Sequence, residues 1–293
     1  MLTVLESINL STEFLNNKGI ESPRINAELL LAKILNCKRL DLYLSFDRPL
    51  SESEKNQYRE FIIRRSKFEP LQYIVGSVEF YGFEFKVNPS VLIPRPETEI
   101  LVEKIIETHK EKSGLKILDI GTGSGIIAIC LAKYLIDSNI TGVDVSEEAL
   151  TTAKENAVIN SVENKIKFYQ ADILKDEIPE DEFDIIVSNP PYISNEEFPS
   201  LQPELRNYEP KEALTDESDG LSFYRAITKI GKKKLKKGGK IFFEVAQNQS
   251  EKVRIILDKE EFKNIKFQKD YLNIERVVSG EIEPEAHLPL EEI

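Results

Sequence analysis

The chain has 293 residues, 31% of them charged and 41% hydrophobic, with a formal net charge of −12. This is a globular composition with material for one large or two ordinary domains, and no stretch approaches the ~20 apolar residues of a membrane span. Residues 1–70 hold 11 basic against 10 acidic side chains, and the remainder holds 28 against 41. A stable nucleic-acid complex needs a basic footprint, and the larger part of this chain is biased the opposite way.

In chain order, residues 1–70 predict helices. Glu6 and Glu13, with no early basic residue, argue against a secretory or transit segment and point to the cytoplasm. Apolar positions recur at Leu5, Ile8 and Leu15, then at Leu29, Leu30, Ile34 and Leu35, as in a small helical bundle. Ser22 before Pro23 predicts a capped helix start, and Ser51 caps a further helix running to about Ser66. Residues 71–88 change character: aromatic and β-branched residues around Gly76 and Gly82 predict a hairpin linking two domains. Pro89, Pro94 and Pro96 punctuate a loop before a helix over roughly 97–110.

From Leu115 strands and helices alternate. KILDI, NITGVDV, KIKFYQ, FDIIVS, KIFFEV, IKFQKD and ERVVSG predict strands, and SGIIAICLAKYL and SEEALTTAKENAVIN predict helices, the latter capped by Ser146. Further helices fall around 219–235 and 249–258. The pattern is α/β: a mainly parallel seven-stranded sheet covered on both faces. Cys37 and Cys130 lie in apolar helical patterns and read as core thiols of a reducing compartment. The two histidines, His109 and His287, come with no Cys/His cluster, which speaks against a metal site. The last stretch, residues 281–293, is acidic and reads as a mobile tail.

Asp119-Ile-Gly121-Thr122-Gly123-Ser124-Gly125 lies where the first of these strands meets its helix. Glycines let the backbone turn sharply and approach a ligand. Asp144 closes the next strand, where a carboxylate can accept both hydroxyls of a ribose. The glycine spacing is G-x-G-x-G, not the G-x-G-x-x-G of dinucleotide sites, and Asp119 is poor company for a pyrophosphate. It suits a ligand with a cationic amino-acid end, such as S-adenosylmethionine. Asp172 and Ile173, ending the third of the strands, are placed to meet adenine, the carboxylate on its amino group and Ile173 against its face.

Two prolines in Ser-Asn189-Pro190-Pro191-Tyr192-Ile close the fourth strand, where neither can continue a ladder. They stand at the carboxyl edge, beside the glycine loop. A planar –NH2 group is a poor nucleophile because its lone pair is delocalised. Two acceptors aimed at its two protons hold it and stabilise the positive charge that grows on nitrogen as it takes a methyl group. The Asn189 side-chain carbonyl and the Pro190 backbone carbonyl are such a pair, Pro191 fixes the geometry before it, and Tyr192 offers a flat face. No histidine base is needed.

These residues resemble a known family. Asn189-Pro-Pro-Tyr192 is shared by methyltransferases of exocyclic base amines and of glutamine amides. Pro70-Leu-Gln-Tyr-Ile-Val-Gly76, Phe80-Tyr-Gly82, Leu92-Ile-Pro-Arg-Pro-Glu-Thr-Glu99, Glu209-Pro210…Ala213-Leu214 and Asp270-Tyr271…Asn273…Glu275-Arg276-Val277 are similar to the HemK/PrmC family, over about residues 1–280. The resemblance implies a class I S-adenosylmethionine-dependent, Rossmann-like methyltransferase, with S-adenosylhomocysteine as product. It implies a helical substrate-binding domain over 1–70, a hairpin linker over 71–90, a catalytic domain over 91–280 and the tail beyond. The implied partner is a class 1 peptide chain release factor, methylated on the glutamine of its Gly-Gly-Gln loop. No membrane, metal or stable nucleic-acid partner is expected, and a monomer is assumed. Asp119, Gly121, Thr122, Gly123, Ser124, Gly125, Asp144, Asp172, Ile173 and Asn189 would hold the methyl donor, and Asn189 to Tyr192 the amide. Arg95 and Glu97–Glu99 would line the pocket, by fixing loops or by touching ligand. Asp216-Glu217-Ser218, Ala246 and Ile173 depart from the family's usual residues and bear on the pocket's rim.

Two rivals are weighed against this. An N(6)-adenine methyltransferase shares the Asn189–Tyr192 chemistry, and its best support is the run Lys232–Lys237, which equally suits a helix C-terminus. A non-catalytic module keeping the fold ordinarily loses Asn189 or the glycines, which are intact here.

Overall fold

A computed structural model describes residues 2–176, 178 and 182–283. Two compact units are formed, one by the described residues up to Ser77 with Gln202–Tyr208, the other by Val78–Leu201 with the described residues from Glu209 onward.

In the first unit, α1 (Val4–Asn17) and α3 (Glu52–Arg65) each begin with a capping box, Thr3 with Glu6 and Ser51 with Glu54. Each box satisfies two backbone donors that a helix start leaves orphaned. Between them lie α2 (Pro23–Leu35) and a 3₁₀ turn over Arg39–Leu44. Val4, Ile8, Leu15, Leu30, Leu31, Leu42 and Ile62 close a common core. Pro23 stands at the first turn of α2, but Ser22 does not cap it: its φ is 47° and its side chain makes no cap bond. The Asn26 amide instead donates to the Glu21 and Ser22 carbonyls at 3.0 Å each. Buried Arg65 donates to Asn26 Oδ1 at 2.7 Å and pairs with Glu204 of the returning segment.

The predicted hairpin is shorter than residues 71–88. Leu71–Val75 form a single helical turn, α4, in which burial of Tyr73 and Ile74 overrides their β propensity. It ends on Gly76, at φ 81°, whose N–H donates to the Gln72 carbonyl at 2.7 Å. The hairpin itself is β1 (Ser77–Phe80) and β2 (Phe83–Lys86), reversed at Tyr81 and Gly82, with φ of 51° and 79°. Positive φ at both central residues is the twist a two-residue hairpin favours.

The second unit continues with α5 (Pro96–His109), β3 (Lys116–Ile120), α6 (Ile126–Tyr134), β4 (Asn139–Asp144), α7 (Glu147–Ile159), β5 (Ile166–Gln170) and β6 (Phe183–Ser188). After the short helices α8 (Pro203–Tyr208, in the first unit) and α9 (Lys211–Leu214) come α10 (Ser222–Lys234), β7 (Leu235–Glu244), α11 (Ser250–Lys259), β8 (Lys263–Lys269) and β9 (Glu275–Glu281). The seven-stranded sheet runs β5-β4-β3-β6-β7-β9-β8, parallel through β7, with β9 antiparallel to both neighbours. Period-two alternation splits the core between its faces. Ile117, Ile185, Val187 and Phe242 pack with α5 and α6, and Leu118, Ile186, Ile241 and Phe243 with α10 and α11. His109 is part of the first face: its Nδ1 lies 2.9 Å from the Ile105 carbonyl, and burial pushes its pKa down to about 4. Cys130 is buried, Cys37 is half-buried and both are free thiols. Of the acidic tail, Glu281 closes β9 and residues 284–293 lie outside the described residues. Among the described residues, no helix is long and apolar enough to cross a membrane.

From β3 the chain winds outward through β4 to β5, then returns to place β6 on the other side of β3. The ends of β3 and β6 therefore border a crevice where ligands of open α/β sheets bind.

Candidate active site

The loop after β3 needs its glycines. Gly121, Gly123 and Gly125 have φ of 71°, 54° and 81°, the left-handed region that costs a side chain energy. Gly125 is also a packing position: a Cβ there would lie 3.1 Å from that of Ala153, whereas one on Gly121 would meet nothing within 4 Å. The loop is tied to the end of β4. Gly121 and Thr122 N–H both donate to the Val143 carbonyl, and Gly123 N–H donates to Asp144 Oδ2 at 2.8 Å. Asp144 Oδ1 accepts from Ser146 N–H at 3.0 Å. Each Asp144 oxygen thus carries one backbone bond and keeps a further lone pair. Thr122 and Ser124 point inward. The Thr122 hydroxyl donates to Asp119 Oδ2 at 2.7 Å, and the Ser124 carbonyl accepts from the Asn156 amide at 2.9 Å. Asp119 is fully buried and its Oδ1 has no hydrogen-bond partner among the described residues. Burial, with the neighbouring Asp144 charge adding, pushes its pKa up to about 7.

Asp172 and Ile173 lie beyond the end of β5 at Gln170 rather than closing the strand. The Asp172 carboxylate is engaged locally: Oδ1 accepts from Leu174 N–H at 3.0 Å and Oδ2 from Lys175 Nζ at 2.6 Å, which holds its pKa low. Ile173 packs, half-buried, against the α10–α11 side of the core.

Asn189 begins where β6 ends, and β6 is locked to β3 there: Ser188 pairs with Ile120, and its hydroxyl donates to the Ile120 carbonyl at 2.6 Å. Asn189 and the glycine loop therefore leave the sheet side by side. Asn189 Nδ2 donates to the Thr98 hydroxyl at 3.3 Å. Among the described residues, neither the Asn189 side-chain oxygen nor the Pro190 carbonyl accepts a hydrogen bond. The segment that follows is braced. Gln249 Nε2 donates to the Tyr192 carbonyl at 2.8 Å, and Ile193 N–H to the Leu214 carbonyl at 3.0 Å. Gly220, at φ 76°, presses so close that a Cβ would lie 2.5 Å from the Tyr192 carbonyl oxygen. The unusual Asp216 is what shapes this wall, accepting from Ser218, Gly220 and Ser222 N–H at 2.9 Å each.

The selective stretch before α5 builds the surround. Arg95 pairs with buried Glu209, whose other oxygen accepts from Ile93 N–H at 3.1 Å. Glu99 accepts from Tyr81 N–H at 2.8 Å, and Glu97 lies 3.8 Å from Arg276. Arg95 and Glu99 are thus occupied in fixing loops. Of the lysine run, Lys232 pairs with Glu261, Lys234 donates to the Ile178 carbonyl and Lys236 pairs with Asp184. Most of the run's five lysines are therefore engaged within the fold.

Sequence reasoning placed Thr98 at the pocket only within Glu97–Glu99, and gave no role to Gln249 or Glu244. Glu244 ends β7, next to β6, and is buried. An acid closing the apolar run Ile241–Phe243, as Asp144 closes β4, was the available signal.

Solved structures of similar fold are methyltransferases. One from Pyrococcus furiosus is superposable with a TM-score of 0.51 at 18% identity, covering 69% of this chain and 90% of that one. A T. thermophilus 16S rRNA methyltransferase in complex with AdoMet and guanosine gives 0.51 at 19%, covering 71% and 50%. Residues 96–204 match the methyltransferase small domain and residues 6–76 the PrmC N-terminal domain. The fold is that of a methyltransferase. Release factor glutamine methyltransferases of Fusobacterium nucleatum, Geobacter sulfurreducens and Chlorobaculum tepidum are 42%, 39% and 40% identical to this chain. They cover 94%, 96% and 94% of it, and it covers 77%, 97% and 96% of them. The chain belongs to the release factor glutamine methyltransferase family.

Proposed function

We propose that the protein transfers the methyl group of S-adenosylmethionine to the side-chain amide nitrogen of the Gly-Gly-Gln glutamine in a class 1 peptide chain release factor. The observation that carries this is the pair of unengaged acceptors, the Asn189 side-chain oxygen and the Pro190 carbonyl, held at the β6 edge beside the glycine loop. The residues present fit the donor. Asp119 offers a buried, unpartnered oxygen for a cationic amino group, Gly121 opens onto free space, and Asp144 keeps lone pairs for a ribose. Ile173 supplies an apolar wall, and Asp172 serves the adenine amino group only by sharing its Lys175-bound carboxylate. When bound, the sulfonium donor supplies an electrophilic methyl group.

The chain's own part is electrostatic. Asn189 and Pro190 accept hydrogen bonds from the two amide N–H groups, fix the nitrogen, and stabilise the positive charge that grows on it during transfer; the surplus proton leaves to solvent after the methyl has arrived. The prolines restrict the backbone so that the Pro190 carbonyl keeps its aim without reorganising. Tyr192 lines the same segment, and burial holds its hydroxyl neutral. The largely engaged lysine run and the chain's acidic balance favour a protein acceptor over nucleic acid, and the free thiols suit a cytoplasmic setting.

Labelled S-adenosylmethionine, the enzyme and purified release factor, with DNA and RNA in parallel, make the deciding assay. Label is expected on the Gly-Gly-Gln glutamine; label on nucleic acid but not on the factor overturns the assignment. Asp144→Ala is expected to weaken donor binding by about 1.5–3 kcal/mol, measured by calorimetry. Because Asp144 also holds Gly123 and Ser146, the melting temperature of the free variant separates loop loosening from lost ribose contacts. Unchanged affinity rejects the ribose role.

A further inference from the structure

Glu244, Thr98 and Asn189 come from three separate elements, β7, α5 and the β6 edge, and meet in a buried spot. Thr98 and Glu244 are almost fully buried, and Glu244 Oε2 has no hydrogen-bond partner among the described residues. The Glu244 backbone is fixed: its carbonyl accepts from the Tyr224 hydroxyl at 2.8 Å, and it pairs with Val277 across β9. A carboxylate kept this dry and left partly unpaired is costly unless it has a task.

An asparagine side chain can present either its oxygen or its NH2 to a given neighbour, and the two ends have similar shape. The proposed reaction works with only one arrangement, the oxygen facing the incoming amide. The NH2 end donates to the Thr98 hydroxyl at 3.3 Å, and Thr98 and Asn189 both face the Glu244 carboxylate. Burial raises the Glu244 pKa to about 7; above that pH the ionised carboxylate accepts only, so it attracts the NH2 end and repels the carbonyl end. Thr98 cannot set the direction alone, since a hydroxyl donates as readily as it accepts.

We propose that Glu244 is a positioning residue that, with Thr98, fixes the direction of the Asn189 amide so that its oxygen faces the methyl-accepting nitrogen. This rests on the function proposed above. Glutamine at 244 can donate as well as accept, which permits the reversed amide while leaving size and packing almost unchanged.

The test uses the full chain with release factor and S-adenosylmethionine. Glu244→Gln and Thr98→Val are each expected to lower kcat roughly 10–10²-fold, as loss of an orienting partner does elsewhere, with the KM for methyl donor changed less than about threefold. Thr98→Ser, which keeps the hydroxyl, is expected to recover most of the loss. The side-chain ¹⁵N–¹H signals of Asn189 are expected to shift or broaden in Glu244→Gln without any substrate present, a readout independent of turnover. An inactive wild-type enzyme counts against the proposed function. An active wild type whose Glu244→Gln and Thr98→Val variants stay within about twofold in kcat, with unmoved Asn189 signals, overturns the positioning role. If Glu244→Gln does not fold, Thr98→Val and its serine rescue decide the matter.

Discussion

Asn189→Ala is expected to lower methyl transfer to release factor roughly 10²–10³-fold, the scale of losing one preorganised hydrogen-bond partner of a developing charge. Donor affinity should move by less than about threefold, because on this reading the asparagine acts on the nitrogen and not on the donor. Single-turnover quenching with saturating factor measures the step directly. The same substitution removes the NH2 group from Thr98 and Glu244, leaving a buried carboxylate with one donor fewer. A fall in stability of about 1–3 kcal/mol should accompany the kinetic loss. Thermal unfolding read beside the kinetics separates the two, since a partly unfolded enzyme loses amplitude and not rate constant. A single-turnover rate within about fivefold of wild type removes Asn189 from the chemistry and leaves it a structural end-cap for β6.

Much of this was legible in the sequence because it rests on local rules. Strands β3, β4 and β6 are short apolar runs ended by Asp, Gly or Pro, and two buried faces leave no other reading for such runs. The Ser51 and Ser146 caps are stated by their own residue types. What failed was also local. Leu71–Val75 carry strand-forming residues but turn as a helix, because Tyr73 and Ile74 are buried and tertiary contact outweighs propensity. Ser22 had the residue for a cap but stands in the left-handed region, where its hydroxyl does not reach. At the site, the glycines and Asn189 stand at the strand ends that the sequence predicted, whereas nothing local in the sequence joins Thr98 and Glu244 to Asn189. Their meaning comes from long-range register: β6 beside β7 sets Glu244 by Asn189, and α5 brings Thr98 across 91 positions of sequence. The same holds for Arg95, whose pairing with a glutamate 114 residues away no local pattern announces.

Asp119→Asn is expected to alter stability and donor binding in opposite directions as pH rises. In the free protein the Asp119 pKa stands at about 7 against an ordinary 3.8, chiefly through burial. A carboxyl raised on folding contributes stability that is fully present below pH 3.8 and is lost as pH climbs through about 7. Wild-type stability relative to the asparagine variant should therefore decline across that interval, by up to about 4 kcal/mol, read as the difference between two pH-dependent unfolding curves. Taking the difference removes Glu244, which is also raised to about 7 and is common to both proteins. Donor binding should run the other way. A cationic amino group set against Asp119 Oδ1 favours the carboxylate, so binding releases a proton and affinity rises with pH up to about 7 and then levels, below the α-amino midpoint of about 7.7–8.0. Calorimetry in buffers of different ionisation heat counts that proton. In the asparagine variant the affinity should drop roughly 10–10²-fold, as for a lost charge-assisted hydrogen bond, and the pH dependence over this window should vanish. If the variant binds donor as tightly as wild type at every pH, the Asp119 carboxylate serves the β3–α6 turn, through Oδ2 and Thr122, and the cation must be held elsewhere.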